Sequence, residues 1–238
     1  MRIPKYYTQK LRILELISEA PAGSALPTER ELAERFGTSR TTIRQAIGEL
    51  VAEGRLRRTQ GSGTFVAEPP VLHVRQLTSF SDDLQGLTVE GPTLGIERVP
   101  AEREVAAALG VSPGSAVHRI ERVRHHAGEP LAHEIAFLPD ELPGLAAELE
   151  RRGSLYETLD EGYGVRISGA EDEIATALAT PAQATVLGVE IGSPLLVVHR
   201  TAWEASGRAV EWTTSVFRGD RFRFRARSGE RPDPRHER

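Results

Sequence analysis

The stretch LPTERELAERFGTSRTTIRQAIGELVAEGRLRRTQGSGTFV, residues 26–66, decides the first half of the fold. Thr28 followed three residues later by Glu31 predicts a capping box, in which each side chain takes up a backbone N–H left free at the helix start. Leu32, Ala33 and Phe36 then supply a buried stripe, and Gly37 stops the helix. Thr38 or Ser39 caps a third helix running to about Glu53, buried through Ile43, Ala46, Ile47, Leu50 and Val51 and stopped by Gly54. Arg55–Thr59, the glycine-bearing turn Gln60–Gly63 and Thr64–Val66 read as a strand, a turn and a strand. Working outward, residues 5–20 predict a first helix with Tyr7, Leu11, Leu14 and Ile17 on its buried face, ended by Pro21 and Gly23. Three helices and a two-stranded ribbon describe a winged helix-turn-helix.

Ala67-Glu68-Pro69-Pro70 marks the far boundary, because tandem prolines continue neither a helix nor a ladder. The expected division is a winged helix-turn-helix over 1–67, a linker over 68–76, a second domain over 77–228 and a flexible tail over 229–238. In the second domain, Thr93–Val99 predicts a strand and Glu102–Leu109 a helix. Val117–Val123 and Leu131–Leu138 predict a hairpin across His126–Glu129. Leu145–Arg151 and Leu155–Tyr163 are expected helical, Val165–Ala177 extended at first, and Pro181–Leu187 a short helix. Leu195–Trp203 and Ala209–Phe217 predict another hairpin, turning at Ala205–Arg208. Hairpins with interspersed helices indicate an antiparallel α+β architecture.

Composition narrows the class. With 39% hydrophobic residues and 22 glycines the chain has the make-up of a globular protein rather than a disordered one. No apolar run approaches the roughly 20 residues needed to span a bilayer, and the charge-studded N-terminus is not expected to be a signal peptide. There are no cysteines, which excludes disulfides, thiolate nucleophiles and zinc–thiolate sites. A cytoplasmic protein is the expectation. The net charge of −4 divides unevenly: residues 1–68 carry 11 basic and 8 acidic residues, leaving 19 basic and 26 acidic for the rest. A basic head on an acidic body points to a small anion-binding module. Only Lys5 and Lys10 are lysines, so the arginine excess is chain-wide and is not itself a sign of nucleic acid.

The head has a reading surface. In a helix-turn-helix the third helix enters the major groove and its N-terminal residues reach base edges. Here those residues are Ser39, Arg40, Thr41, Thr42 and Arg44. Arg40 and Arg44 are four apart, on one face, opposite Ile43 and Ile47. Arginine binds guanine O6 and N7 bidentately, and hydroxyls and helix-start N–H groups suit phosphate. Arg30 would meet the DNA backbone, and the turn at Gly61 and Gly63 is small enough for a minor groove, with Arg57 and Arg58 behind it. Double-stranded operator DNA is the expected partner. The runs Leu26–Ala33, Ser39–Ala46, Glu53–Leu56 and Gln60–Val66 resemble the GntR family of bacterial transcription regulators. The resemblance implies operator contacts by Arg30, Arg40 and Arg44 and minor-groove entry by the wing glycine.

The second domain resembles the effector domain of the HutC subfamily, the UTRA domain, whose fold is chorismate-lyase-like. The matching pieces are Gln76–Phe80, Arg122 and Arg124, Gly128-Glu129-Pro130, Glu134, Ser154-Leu155-Tyr156, Tyr163-Gly164, and Val210–Trp212 through Ser215–Arg221. The subfamily's aminosugar regulators respond to glucosamine-6-phosphate or N-acetylglucosamine-6-phosphate, and that is the effector class implied. The residues fit such a ligand. Arg122 and Arg124 alternate in a strand, so they point the same way and can share one anion. Ser154 and Tyr156 add hydroxyls, and the turn Thr78-Ser79-Phe80 adds backbone donors. Glu134 and Glu211 would accept from sugar hydroxyls or an amine. A surface arginine pair bridged to Glu121 or Glu134 explains the same residues without a ligand. The resemblance departs at Phe217, where those regulators usually carry a tyrosine whose hydroxyl helps hold the ligand.

Other features carry less. His125 and His126, which with His133 and Glu134 could suggest a metal, are adjacent residues at a hairpin turn that point apart, and neither metal nor cofactor is expected. Glu171-Asp172-Glu173 reads as a solvated face, and Trp203 and Trp212 as core. The expected function is a ligand-responsive repressor acting as a homodimer. The alternatives are another effector (a different sugar phosphate, a phosphonate or an amino-acid derivative) or a lyase-like enzyme.

Overall fold

The computed structural model describes residues 3–59, 61–68, 71–74, 89–90, 93–126 and 128–225. Its first unit comprises α1 (Lys5–Ile17), α2 (Glu29–Phe36), α3 (Arg40–Ala52), β1 (Leu56–Thr59) and β2 (Gly63–Val66). Both legs of the capping box at α2 form: the Thr28 hydroxyl accepts from the Glu31 N–H at 3.3 Å, and the Glu31 carboxylate accepts from the Thr28 N–H at 2.8 Å. Ser39 caps α3 by accepting from the Thr42 N–H at 3.2 Å. Ile13, Ile17, Leu26, Leu32, Ile43, Ile47, Leu50 and Leu56 close one core among these elements.

The face of α1 differs from expectation. Tyr7 and Leu11 are exposed, at 40% and 50%, while Ile13 is fully buried and Lys10 nearly so. The helix is turned so that the Lys10 ammonium meets Glu49 at 3.0 Å, and also Glu53, at the end of α3. A short helix offers two overlapping apolar stripes. Here the tertiary ion pairs select the stripe that includes Lys10, Ile13 and Ile17. The helix also ends at Ile17, three residues before Ala20.

The second unit is a seven-stranded antiparallel sheet with helices on both faces. Its strands are β4 (Val89–Glu90), β5 (Thr93–Pro100), β6 (Ala116–His126), β7 (Glu129–Pro139), β8 (Ile167–Leu178), β9 (Pro194–Glu204) and β10 (Ala209–Arg218). They run in the order β4-β6-β7-β10-β9-β8, with β5 also paired to β6. Both predicted hairpins form, and their strands are longer than expected. The long segment after Val165 is a strand throughout. On one face, α5 (Leu145–Arg152), α6 (Leu155–Glu157) and the π-turn Thr158–Gly162 cover Ile120, Ala136 and Leu138. On the other, α4 (Arg103–Leu109) covers Val117, Phe137 and Trp212, and α7 (Pro181–Leu187) covers Leu195 and Val216. Within the expected linker, β3 (Val71–Val74) pairs in parallel with β11 (Phe222–Arg225). The expected tail lies outside the described residues.

The two units approach closely at Gly54. Gly54, the left-handed stop after α3 (φ 67°), lies so near the Asp220 carbonyl that a Cβ there would collide with backbone. Glycine is required twice over, for its conformation and for the approach.

Candidate nucleic-acid interface and effector site

One carboxylate, Glu29, holds two arginines of the head. Arg44, exposed on the first turns of α3, donates from Nε to Glu29 Oε1 at 3.1 Å and from Nη2 to Oε2 at 2.8 Å. The Arg44 hydrogen bonds hold the Glu29 carboxyl below its ordinary value. The same carboxylate lies 3.7 Å from Arg58 on β1. Arg40, Thr41 and Gln45 are exposed beside Arg44, and Arg30 is exposed with only a loose contact to Glu34 at 3.8 Å. Ser39 and Thr42 spend hydroxyls on each other, 2.8 Å apart, and on the helix cap. The wing turn has Gly61 at φ 75° and Gly63 at φ 121°, with open space around both. Arg57 and Arg58 do not flank this tip freely. They reach towards Glu129 at 3.9 Å and Glu190 at 3.5 Å in the second unit.

In the sheet domain, alternation along five adjacent strands sends polar side chains to the face beneath α6. Arg122 and Arg124 (β6) stand beside Glu134 (β7), and Arg122 and Glu134 are register partners. Ser215 and Thr213 (β10) come next, then Arg200 (β9) opposite Thr213, then Asp172 (β8) opposite Arg200. All but Asp172 are buried. The Glu134 carboxylate pairs with Arg122 and lies 3.3 Å from Arg124 Nη2. Burial pushes the Glu134 carboxyl up, but the two guanidiniums overcome it and bring it down to about 2. Glu134 is therefore ionised, and Arg122 still has Nε and Nη1 buried without a hydrogen-bond partner among the described residues. A buried donor left unpaired is costly, and an anion would supply the missing acceptors.

At the other end Tyr156 (α6) donates to Glu211 (β10) at 2.8 Å. Burial raises both groups above their ordinary values, so the tyrosine keeps its proton. Arg200 hydrogen-bonds the Tyr156 hydroxyl and grips Asp172 with Nε at 2.8 Å and Nη2 at 2.9 Å.

The structure thus brings Arg122, Arg124, Glu134, Tyr156 and Glu211 into one buried cluster. The arginine pair is bridged to Glu134 as the ligand-free explanation required, yet it is interior, not surface. Tyr156, expected beside the guanidiniums, is tied to Glu211 instead. Ser154 is half-buried and caps α6, accepting from the Glu157 N–H at 3.4 Å. Phe217 is fully buried and stacked on Phe222, ring centroids 4.0 Å apart, among Leu131, Ala132 and Val198. Thr78, Ser79 and Phe80 lie outside the described residues. Sequence reasoning missed Arg200, Thr213, Ser215 and Asp172. In the sequence Glu171-Asp172-Glu173 reads as a solvated face, but in a strand Glu171 and Glu173 turn outward and Asp172 inward. The signal was present in β10, where Glu211, Thr213, Ser215 and Phe217 share one parity.

Glu134 gives a prediction about acid. Its folded-state value lies below the unfolded one, so its stabilisation is present above the unfolded value and is lost as pH falls through about 2. The difference corresponds to about 3 kcal/mol as an order of magnitude. Urea unfolding followed from pH 6 to pH 2 should show wild type and Glu134→Gln converging as the pH falls. Parallel curves would contradict the assignment.

A winged head with an exposed arginine pair, joined to a sheet domain with a buried cluster of arginines and carboxylates, fits a DNA-binding regulator that senses a small molecule. Residues 9–66 match the bacterial regulatory proteins of the gntR family, and residues 84–223 match the UTRA domain. The chain belongs to the GntR family, and to its HutC-type regulators. It is 38% identical to the transcriptional repressor NagR of Bacillus subtilis, over 93% of each chain. It is 33% identical to the mannosyl-D-glycerate transport/metabolism system repressor MngR of Escherichia coli, over 93% of this chain and 94% of that one. The crystal structure of PhnF from Mycobacterium smegmatis superposes with a TM-score of 0.66 at 30% identity, covering 93% of this chain and 99% of that one. With such relatives the protein is a transcription regulator, and the lyase-like alternative is overturned. Among the described residues no helix is long and apolar enough to cross a membrane.

Proposed function

We propose that the protein represses transcription by binding a palindromic operator as a homodimer in the bacterial cytoplasm, and that a phosphorylated sugar such as glucosamine-6-phosphate or N-acetylglucosamine-6-phosphate releases it. The observation that carries the effector class is Arg122, buried beside Arg124 with two nitrogens unbonded among the described residues. A phosphate would satisfy both at once. Thr78, Ser79, Phe80 and Ser154 complete that end, while Glu134, Glu211, Tyr156 and Phe217 border the sugar. Phe217 in place of tyrosine removes one hydroxyl and favours a sugar phosphate that needs one contact fewer.

On the DNA side, Arg40 and Arg44 read bases, Arg30 and the hydroxyls of Ser39, Thr41 and Thr42 meet phosphates, and Gly61 and Gly63 carry the wing into the minor groove. The dimer is supported by β8, an edge strand of 12 residues with Ile174 and Leu178 exposed on it. Such an edge is a template for a second chain, and two-fold symmetry matches a palindrome. The working division is a head over 1–67, a connection over 68–76, an effector and dimerisation domain over 77–228 and a tail. To release DNA, the ligand must bind the operator-incompetent arrangement better than the competent one.

A thermal-shift series over phosphosugars, phosphonates and amino-acid derivatives tests the effector. At a ligand concentration 100-fold above Kd the stabilisation is about 2.7 kcal/mol, enough to move the melting temperature by several degrees. A shift with a phosphonate or amino-acid derivative and none with any sugar phosphate rejects the sugar-phosphate reading.

A further inference from the structure

The row of buried polar groups continues past the effector residues to the edge of the sheet. Arg200 sits on β9, its side chain 7% exposed, and Asp172 directly opposite on β8 at 17%. Two of the guanidinium's nitrogens are committed to the Asp172 carboxylate in the bidentate geometry. The group also hydrogen-bonds the Tyr156 hydroxyl, whose proton goes to Glu211 Oε2. A continuous chain therefore runs Asp172, Arg200, Tyr156, Glu211, from the outermost strand to the sugar end of the site.

Burying Arg200 beside a half-buried Asp172 withdraws charge from water, a cost that a cross-strand pair on the solvated face of β8 would avoid. Fork geometry gives a reason for it. A guanidinium can only donate, so the Tyr156 oxygen accepts from Arg200 and its own proton is left for Glu211. Without Arg200 the phenol could turn its donor elsewhere. Without Asp172 the guanidinium would lose the partner that fixes its plane.

We propose that Arg200, clamped by Asp172, is a positioning residue that holds Tyr156 onto Glu211 and thereby sets which substituent the sugar end accepts. The proposal rests on the phosphosugar reading above and separates the site into two parts. Arg122 and Arg124 take the phosphate whatever the sugar, while the Asp172–Arg200 pair sharpens discrimination at the other end. Sites built from preorganised polar groups reject ligands that leave those groups unpaired, and loosening them relaxes selectivity.

The test uses the full-length chain with Asp172→Asn and Arg200→Lys, the second keeping the charge but not the fork. Calorimetry compares glucosamine-6-phosphate, N-acetylglucosamine-6-phosphate, glucose-6-phosphate and inorganic phosphate. The ratio between the best and worst sugar phosphate should shrink by about tenfold, the worth of one charged hydrogen bond, with inorganic phosphate unchanged. Independently of any ligand, the 13Cζ resonance of Tyr156, assigned with Tyr156→Phe, should move in both variants. An unchanged ratio and an unmoved resonance overturn the proposal. So does a parallel loss of affinity for all four ligands, which marks the pair as structural only. If Asp172→Asn does not fold, Arg200→Lys carries the same comparison. If the wild type binds no sugar phosphate, the phosphosugar reading fails, and the resonance still decides whether Arg200 positions Tyr156.

Discussion

Arg44→Ala is expected to strip the protein of operator selectivity while leaving its weak affinity for arbitrary duplex largely in place. Arg44 is exposed on α3 with its guanidinium plane fixed by both Glu29 oxygens. Arginine presented this way reads guanine through O6 and N7, and one such contact discriminates against a wrong base by roughly tenfold to hundredfold. The proposed dimer would use the residue twice, so the operator preference should fall by about 10²-fold to 10⁴-fold. The Glu29 pair also means that binding exchanges a carboxylate for a base edge, so the measured loss belongs at the lower end. Competition between an operator and a scrambled duplex at one fixed salt concentration measures it, because phosphate contacts alone make affinity steeply salt-dependent. Retained selectivity would remove α3 from the base-reading role.

What the sequence made legible follows from the range of each interaction. The ends of α2 and α3 were readable because Thr28, Glu31 and Ser39 bond to backbone three residues away. Nothing distant competes with a cap. The face of α1 was not, because Lys10 finds Glu49 and Glu53 only once α3 is packed against it. The same holds in the sheet. Arg122 and Arg124 announce themselves by alternation within one strand, and the family resemblance drew attention to Glu134 and Glu211. Arg200 is a single cation in an apolar strand. It acquires meaning only from the strand order β10-β9-β8, which brings Asp172 opposite it. Tyr156 shows the limit of resemblance as well. The resemblance names it, but its partners are Glu211 and Arg200, and no local pattern singles out Arg200.

Arg124→Ala is expected to leave operator binding intact and abolish release by the effector. The two arginines are not equivalent. Arg122 is the register partner of Glu134 and its direct ion pair, so with Arg124 gone one carboxylate still faces one guanidinium and the buried charge stays balanced. Burial lowers Arg124 from the ordinary arginine value, with Glu134 and the more distant Glu211 acting against it. Deleting one member of a buried, hydrogen-bonded charge pair costs about 2–5 kcal/mol of binding, which is roughly 30-fold to several thousand-fold in Kd. The loss should fall on the phosphate, so the variant should bind a phosphorylated sugar little better than its unphosphorylated parent. Mobility-shift titration with operator, run with and without effector alongside calorimetry on both sugars, separates the two properties. A variant that no longer binds operator, or whose effector domain melts at a much lower temperature, would make Arg124 a structural residue of the sheet, and the phosphate end would then rest on Arg122 alone.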